Sequence, residues 1–148
     1  MSQKIAVVGA GFIGRSWAMV FSKAGHHVSL YDIDPAALSE AMNLLEINIA
    51  DLESNGLISS KDDLLGRIQP YKTLEGAVEE AEWVQENALE NVQIKRELFS
   101  RMDELLPETT ILASSTSAIP CSDISNGMKG AGRIIVAHPA NPPYLLPI

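Results

Sequence analysis

The stretch Lys4-Ile5-Ala6-Val7-Val8-Gly9-Ala10-Gly11-Phe12-Ile13-Gly14 decides the fold. Ile5, Ala6, Val7 and Val8 are an unbroken apolar run with three β-branched residues, the pattern of a short strand buried on both faces. The run ends in glycines spaced Gly-x-Gly-x-x-Gly, and a helical pattern opens directly behind them. Strand, glycine turn and helix in that order make a phosphate-binding turn. Gly9 permits the tight turn. Gly11 lacks a Cβ and lets the backbone approach a pyrophosphate, and Gly14 lets the helix pack close to the strand. The pyrophosphate would then meet free N–H groups at the positive end of a helix dipole. Gly9, Gly11, Phe12, Ile13 and Gly14 are the candidate contacts of a dinucleotide, against the plainer reading of a generic turn.

Asp32 stands 18 residues after Gly14, at the end of a second apolar strand, His27–Tyr31. A carboxylate there accepts hydrogen bonds from the adenosine ribose hydroxyls and repels a 2′-phosphate. Ile33-Asp34-Pro35 offers no arginine to reverse that preference. The ligand is therefore read as NAD rather than NADP, with an affinity difference of about tenfold or more expected from one such charge. The alternative for Asp32 is a cap preceding the next helix. FAD shares the fingerprint, but a chain of 148 residues is too short to enclose a flavin.

Outward from this unit, short β-rich runs alternate with longer helical patterns, which predicts a parallel sheet with crossover helices. Helices are expected from Phe12 to about Ala24, ending at Gly25, and from Asp34-Pro35 to about Ser54, with Asn55-Gly56 as the stop. A short helix over Lys61–Arg67, a strand over Ile68–Lys72, a helix over Leu74–Glu80 and a strand over Trp83–Glu86 follow. Val92–Leu105 reads as a strong helix stopped by Pro107. Its apolar stripe is expected at Ile94, Leu98, Met102 and Leu105. Strands are predicted at Thr110–Ala113 and Arg133–Ala137. No repeat or linker interrupts residues 1–148, so the chain reads as one domain of a Rossmann-type doubly wound α/β fold.

Composition excludes other classes. Eleven Lys and Arg against nineteen Asp and Glu give a net charge of −8, which repels nucleic acid and weighs against an anionic membrane surface. No run approaches the length of a membrane span, and the N-terminus lacks the form of a signal peptide. The single cysteine, Cys121, forms no internal disulfide, so a reducing cytoplasm is expected. No His/Cys/Asp cluster has metal-ligand spacing. His26 and His27 read as turn and strand residues, Trp17 and Trp83 as core, and Cys121 as a small packing residue.

Three predicted strand ends carry polar groups where ligand chemistry sits in such folds: Asn87-Ala88-Leu89-Glu90, Ala113-Ser114-Ser115-Thr116-Ser117 and His138-Pro139-Ala140-Asn141-Pro142. Alone, a serine-rich loop is often a turn, and a histidine before proline is often structural. Together with the glycine loop, these segments resemble the 3-hydroxyacyl-CoA dehydrogenase family, whose members are NAD-dependent oxidoreductases of 3-hydroxy acids and their thioesters. That family carries a segment like Ala-Ser-Asn-Thr-Ser with a catalytic histidine 21 residues beyond its last serine, matching Ser117 and His138. Its nicotinamide-side Glu and Lys, five apart, match Glu90 and Lys95. Gly14-Arg15-Ser16-Trp17-Ala18-Met19, the serine at position 115 and the His138–Tyr144 segment resemble the branch containing L-gulonate 3-dehydrogenase and lambda-crystallin. The likeness runs from Ile5 to Pro147.

The resemblance implies specific roles. His138 is the general base taking the hydroxyl proton while hydride passes to NAD, with imidazole suited by a pKa near neutrality. Ser117 hydrogen-bonds the reacting oxygen and borders the cofactor, and Asn141 fixes substrate or nicotinamide. The family's glutamate partner of that histidine would fall at position 150, past Ile148. Its C-terminal helical domain, which completes the substrate site and the homodimer contact, is likewise absent. The chain is therefore expected to be the N-terminal domain of a longer homodimeric enzyme, binding NAD but inactive alone.

The substrate is expected to be a small free 3-hydroxy acid such as L-gulonate. Residues 36–68 contain Lys61 and Arg67 against Glu40, Glu46, Asp51, Glu53, Asp62 and Asp63, a poor cradle for the phosphates of CoA. A 3-hydroxyacyl-CoA such as 3-hydroxybutyryl-CoA, in fatty acid metabolism, is the alternative. A non-catalytic NAD-binding or structural role is a second one.

Overall fold

The computed structural model describes residues 2–146. Six strands, β1 (Lys4–Val8), β2 (His27–Tyr31), β3 (Ile68–Tyr71), β4 (Trp83–Glu86), β5 (Ile111–Ser114) and β6 (Ile134–Val136), form one parallel sheet in the order β3-β2-β1-β4-β5-β6. The helices are α1 (Phe12–Lys23), α2 (Pro35–Ser54), α3 (Lys61–Leu65), α4 (Leu74–Val78), α5 (Val92–Leu105) and α6 (Cys121–Ser125), with a 3₁₀ turn at Ala131–Arg133.

The unbroken apolar run of β1 follows from burial on both faces. Ile5 and Val7 pack with α1, α2 and α3 residues such as Met19, Leu45 and Leu64 in one core. Ala6 and Val8 point the other way, into a second core with Val78, Phe99 and Ile124 from α4, α5 and α6. Two layers of helices on one parallel sheet make the doubly wound Rossmann fold. Strand order reverses between β1 and β4, so the switch point, where folds of this kind bind ligands in a crevice at the strands' carboxyl ends, falls there.

Local chemistry sets the helix starts. Asp34 caps α2 through the Ala36 amide, with Pro35 behind it; Ser60 caps α3, Thr73 caps α4 and Asn91 caps α5, each through its side chain. α1 begins differently: its N-cap is Gly11, and no side chain satisfies its first N–H groups.

Three sequence expectations change. Half of the α5 stripe holds: Met102 is buried and Leu98 packs against the second core, but Ile94 is 40% and Leu105 45% exposed, while Lys95, Phe99 and Leu106 face inward. Lys95 can take an inward position because its charge is buried in an ion pair with Glu86. β5 lies one residue later than expected, because the Thr110 amide closes a turn on the Pro107 carbonyl at 3.0 Å and the ladder starts at Ile111. The helix α6 was not anticipated. It has only five residues, begins after Pro120 without a side-chain cap, and is held by Ile124 in the second core.

Candidate active site

Residues of the glycine loop meet the demands of close approach. Gly9 has φ +97°, and a Cβ there would lie 2.7 Å from the Asn87 carbonyl oxygen, on the loop leaving β4. A Cβ on Gly14 would run into the Gly9 carbonyl oxygen, so α1 rests directly on the turn. Around Gly11 nothing lies within 4 Å of a built Cβ, and Gly11 and Phe12 are exposed. The loop is thus closed against β4 and α1 and open on the side where the first N–H groups of α1 lack partners. Arg15 folds its Nη1 back toward the Ala10 carbonyl, 3.4 Å away, and its Nε is buried without a partner. A bare helix start, an open glycine and a guanidinium with an unspent donor fit a diphosphate.

Asp32 ties this loop to β2. Its Oδ2 accepts from the Ala10 amide at 2.7 Å and its Oδ1 from the Asp34 amide at 3.0 Å. Half-buried at the end of β2, the carboxylate still has lone pairs to offer. Helix capping falls to Asp34, not to Asp32.

Next to the crevice lies a buried polar cluster. Lys95, 1% exposed, donates to both oxygens of fully buried Glu86 at 2.8 and 3.0 Å and to the Ala88 carbonyl at 3.3 Å. Glu86 also accepts from the Ser114 hydroxyl at 2.6 Å and the Ala88 amide at 2.7 Å. Lys95 is therefore enclosed, with Glu90 Oε2 3.6 Å beyond it. Glu90 reaches across to the loop after β5, where its Oε1 accepts from the Thr116 hydroxyl at 2.5 Å and from the Ser117 and Ala118 amides at 3.1 and 3.3 Å. Burial pushes the Glu90 carboxyl up, but the Thr116 hydroxyl, these two amides and Lys95 together hold it below the usual carboxylate range.

Ser117 and His138 leave adjacent strand ends, three residues past Ser114 and two past Val136, where Ser114 pairs with Val136. Both are exposed, as is Asn141. So Glu90 and Ser117 are brought together directly, His138 is carried on the neighbouring loop, and Asp32 belongs with the glycine loop at β1 and β2. Trp17 is core as expected, yet its indole Nε1 also donates to Ser115 Oγ at 3.0 Å. Ser115, Gln85, Asn87 and Glu86 were not singled out as site residues. Only spatial neighbours reveal them, since strand order 1-4-5 brings together residues some thirty positions apart.

Comparison with known proteins fits this geometry. Residues 4–148 match the family model of the 3-hydroxyacyl-CoA dehydrogenase NAD binding domain. The chain belongs to that family. The chain is 40% identical over 147 residues to a lambda-crystallin homolog of Bos taurus, covering 97% of this chain and 46% of that one. It is 38% identical over 146 residues to the L-carnitine dehydrogenase of Streptomyces griseus, covering 99% and 43%. Its fold superposes on the crystal structure of 3-hydroxybutyryl-CoA dehydrogenase from Escherichia coli K12 with a TM-score of 0.92 at 29% identity, over 99% of this chain and 31% of that one. The chain thus spans less than half the length of these relatives. NAD is the cofactor of this domain. Among the described residues no helix is long and apolar enough to cross a membrane, and no group of three or more His, Cys, Asp or Glu side chains could hold a metal ion.

Proposed function

We propose that this chain is the NAD-binding, base-bearing domain of a dehydrogenase acting on small free 3-hydroxy acids. The observation that carries the reading is the junction of two sites at one sheet end. An open glycine loop tied to Asp32 lies at β1 and β2, and the Ser117 and His138 loops leave β5 and β6 at the same end of the sheet.

NAD, when bound, supplies the hydride acceptor. The chain's own residues do the rest. The amides of α1, with Arg15, hold the diphosphate, and Asp32 accepts from the adenosine ribose. Glu90 faces the nicotinamide side, with Lys95 acting through it. His138 accepts the hydroxyl proton of the substrate, Ser117 hydrogen-bonds the reacting oxygen, and Asn141 orients substrate or nicotinamide. Residues 1–148 act as one domain, and the other half of the relatives' length completes the substrate site and a homodimer. A reducing, cytoplasmic setting suits Cys121, whose thiol is spent on the Ile134 carbonyl.

The charge around α2 and α3 supports a free acid. Glu40, Glu46, Asp51, Glu53, Asp62 and Asp63 are all exposed. Only two bases stand against these six acids, and Lys61 is already paired with Glu46 at 3.2 Å. A relative named for L-carnitine adds a second, independent support. The likeness to a 3-hydroxybutyryl-CoA dehydrogenase favours the thioester as the second reading.

Steady-state assay of the complete protein with free 3-hydroxy acids, including L-gulonate and L-carnitine, and with acyl-CoA thioesters separates the two. Turnover of a free acid with His138→Ala reduced about 10²–10⁴-fold is expected. Turnover confined to CoA thioesters removes the free-acid reading. Unimpaired turnover by His138→Ala removes His138 as the base.

A further inference from the structure

The polar residues at the carboxyl ends of β4 and β5 form a chain of hydrogen bonds whose direction is fixed at every link. Trp83 Nε1 is a donor only, so the atom it meets at 3.1 Å is Gln85 Oε1. The Gln85 amide nitrogen therefore points the other way. It gives its two hydrogens to Ser115 Oγ at 2.8 Å and to the Ala137 carbonyl at 3.3 Å. Ser115 Oγ also accepts from Trp17 Nε1, again a pure donor, at 3.0 Å. Both acceptor positions of the hydroxyl are then filled, and its single hydrogen goes to Asn87 Oδ1 at 2.7 Å. Asn87 Nδ2 closes the chain on the Gln85 carbonyl at 2.9 Å. Gln85 is fully buried and Trp17 nearly so. A saturated network of this kind has one arrangement rather than several.

One of its ends holds a backbone of consequence. β6 is a three-residue edge strand whose Ile135 and Val136 are partly exposed, and its ladder ends with the Ala137 amide on the Ser114 carbonyl at 2.9 Å. Among the described residues, the next main-chain hydrogen bond runs from the Leu145 amide to the Pro142 carbonyl. The Gln85 amide on the Ala137 carbonyl is thus the last polar tie between the sheet and the loop that begins at His138. The other end of the network is Trp17, on the helix that opens with the glycine loop.

We propose that Gln85 and Ser115 are positioning residues for His138: the Ser115 hydroxyl locks the Gln85 amide, and that amide fixes the backbone one residue before the histidine while Trp17 ties the same hydroxyl to α1. The proposal rests on the reading of His138 as the base, but it concerns where the histidine is held and is tested separately from turnover.

The 148-residue chain has three histidines, and two of them are built-in controls. His26 and His27 lie at the amino end of β2, the opposite end of the sheet from His138. Imidazole Cε1–H correlation spectra of the chain, in the absence of any nucleotide, give one signal per histidine. In Gln85→Leu, which keeps the volume and removes the amide, the His138 signal moves by more than its linewidth while those of His26 and His27 stay. Ser115→Ala moves the same signal, and Ser115→Thr, which keeps the hydroxyl, returns it. A His138 signal unmoved in either folded variant overturns the proposal. Loss of folding in Ser115→Ala also overturns it, because the hydroxyl would then be holding the domain rather than the loop. A moved signal in a protein whose His138→Ala form turns over normally refutes the catalytic reading and leaves the positioning intact.

Discussion

The Ala10 amide donates to Asp32 Oδ2 at 2.7 Å, so the residue proposed to read the adenosine ribose also pins the glycine loop. The two roles separate by substitution. Asp32→Asn retains an acceptor for Ala10 and removes the charge, so NADP affinity rises toward that of NAD while folding stability changes little. Asp32→Ala loses the charge-assisted bond as well, and costs about 1.5–3 kcal/mol of stability or NAD binding. Titration of both nucleotides into both variants, with thermal melts alongside, reads the difference.

Of the three glycines in the loop, Gly9 and Gly14 serve packing and Gly11 is the one proposed to serve the ligand. Gly14→Ala drives a methyl into the Gly9 carbonyl, and the strain of about 1–3 kcal/mol or more appears in the melting temperature without any ligand. Gly11→Ala meets no atom within 4 Å at an ordinary backbone conformation, so stability stays within about 0.5 kcal/mol of the parent. Its NAD affinity falls by about tenfold or more, since the methyl takes the space the diphosphate needs. Equal losses of stability in the two variants would refute this division.

Lys95 and Glu86 are a fully buried ion pair, and removing one partner strands the other. Lys95→Met leaves Glu86 charged with only the Ser114 hydroxyl and Ala88 amide for company, at a cost of about 3–5 kcal/mol. Pairing it with Glu86→Gln recovers part of that loss. Urea denaturation of the two single variants and the double variant gives the coupling directly; additive losses would show that the pair is not a unit.

Asp103 gives the domain an acid-sensitive fastening. Its Oδ1 lies 2.8 Å from Arg133 Nη2, and both side chains are buried. Burial raises its pKa, but the Gly130 amide, the Arg133 guanidinium and Lys129 together hold the carboxyl below its ordinary value. A depressed native pKa contributes stability that is present above the unfolded value of about 4 and is lost as pH falls through the lower native value. Asp103→Asn therefore lowers stability at pH 7 and flattens the acid limb below about pH 4. A stability–pH curve that keeps its acid limb in the variant contradicts the assignment.

The fold was largely legible in the sequence because its signals are local. The run Ile5–Val8, the capping residue Asp34 and the glycine spacing each act within a few residues, and β1, β2, α2 and α5 fall at their expected bounds. What escaped depends on tertiary partners. Lys95 reads from the resemblance as a nicotinamide-side contact, and only the fold shows Glu86 enclosing it; α6 exists because Ile124 reaches the second core. Trp17 and Gln85 look like ordinary core and strand residues until parallel pairing sets Ser115 between them. The candidate site divides in the same way: the glycine loop and Asp32 are read from spacing, whereas the supports of His138 come from adjacency in the sheet.

Calorimetric titration of NAD and NADP into the 148-residue chain tests the central claim most directly. Saturable NAD binding at one site per chain is predicted, with NADP weaker by about tenfold or more because Asp32 opposes the 2′-phosphate. Equal affinities for the two nucleotides, or no binding of NAD by the folded chain, would contradict it.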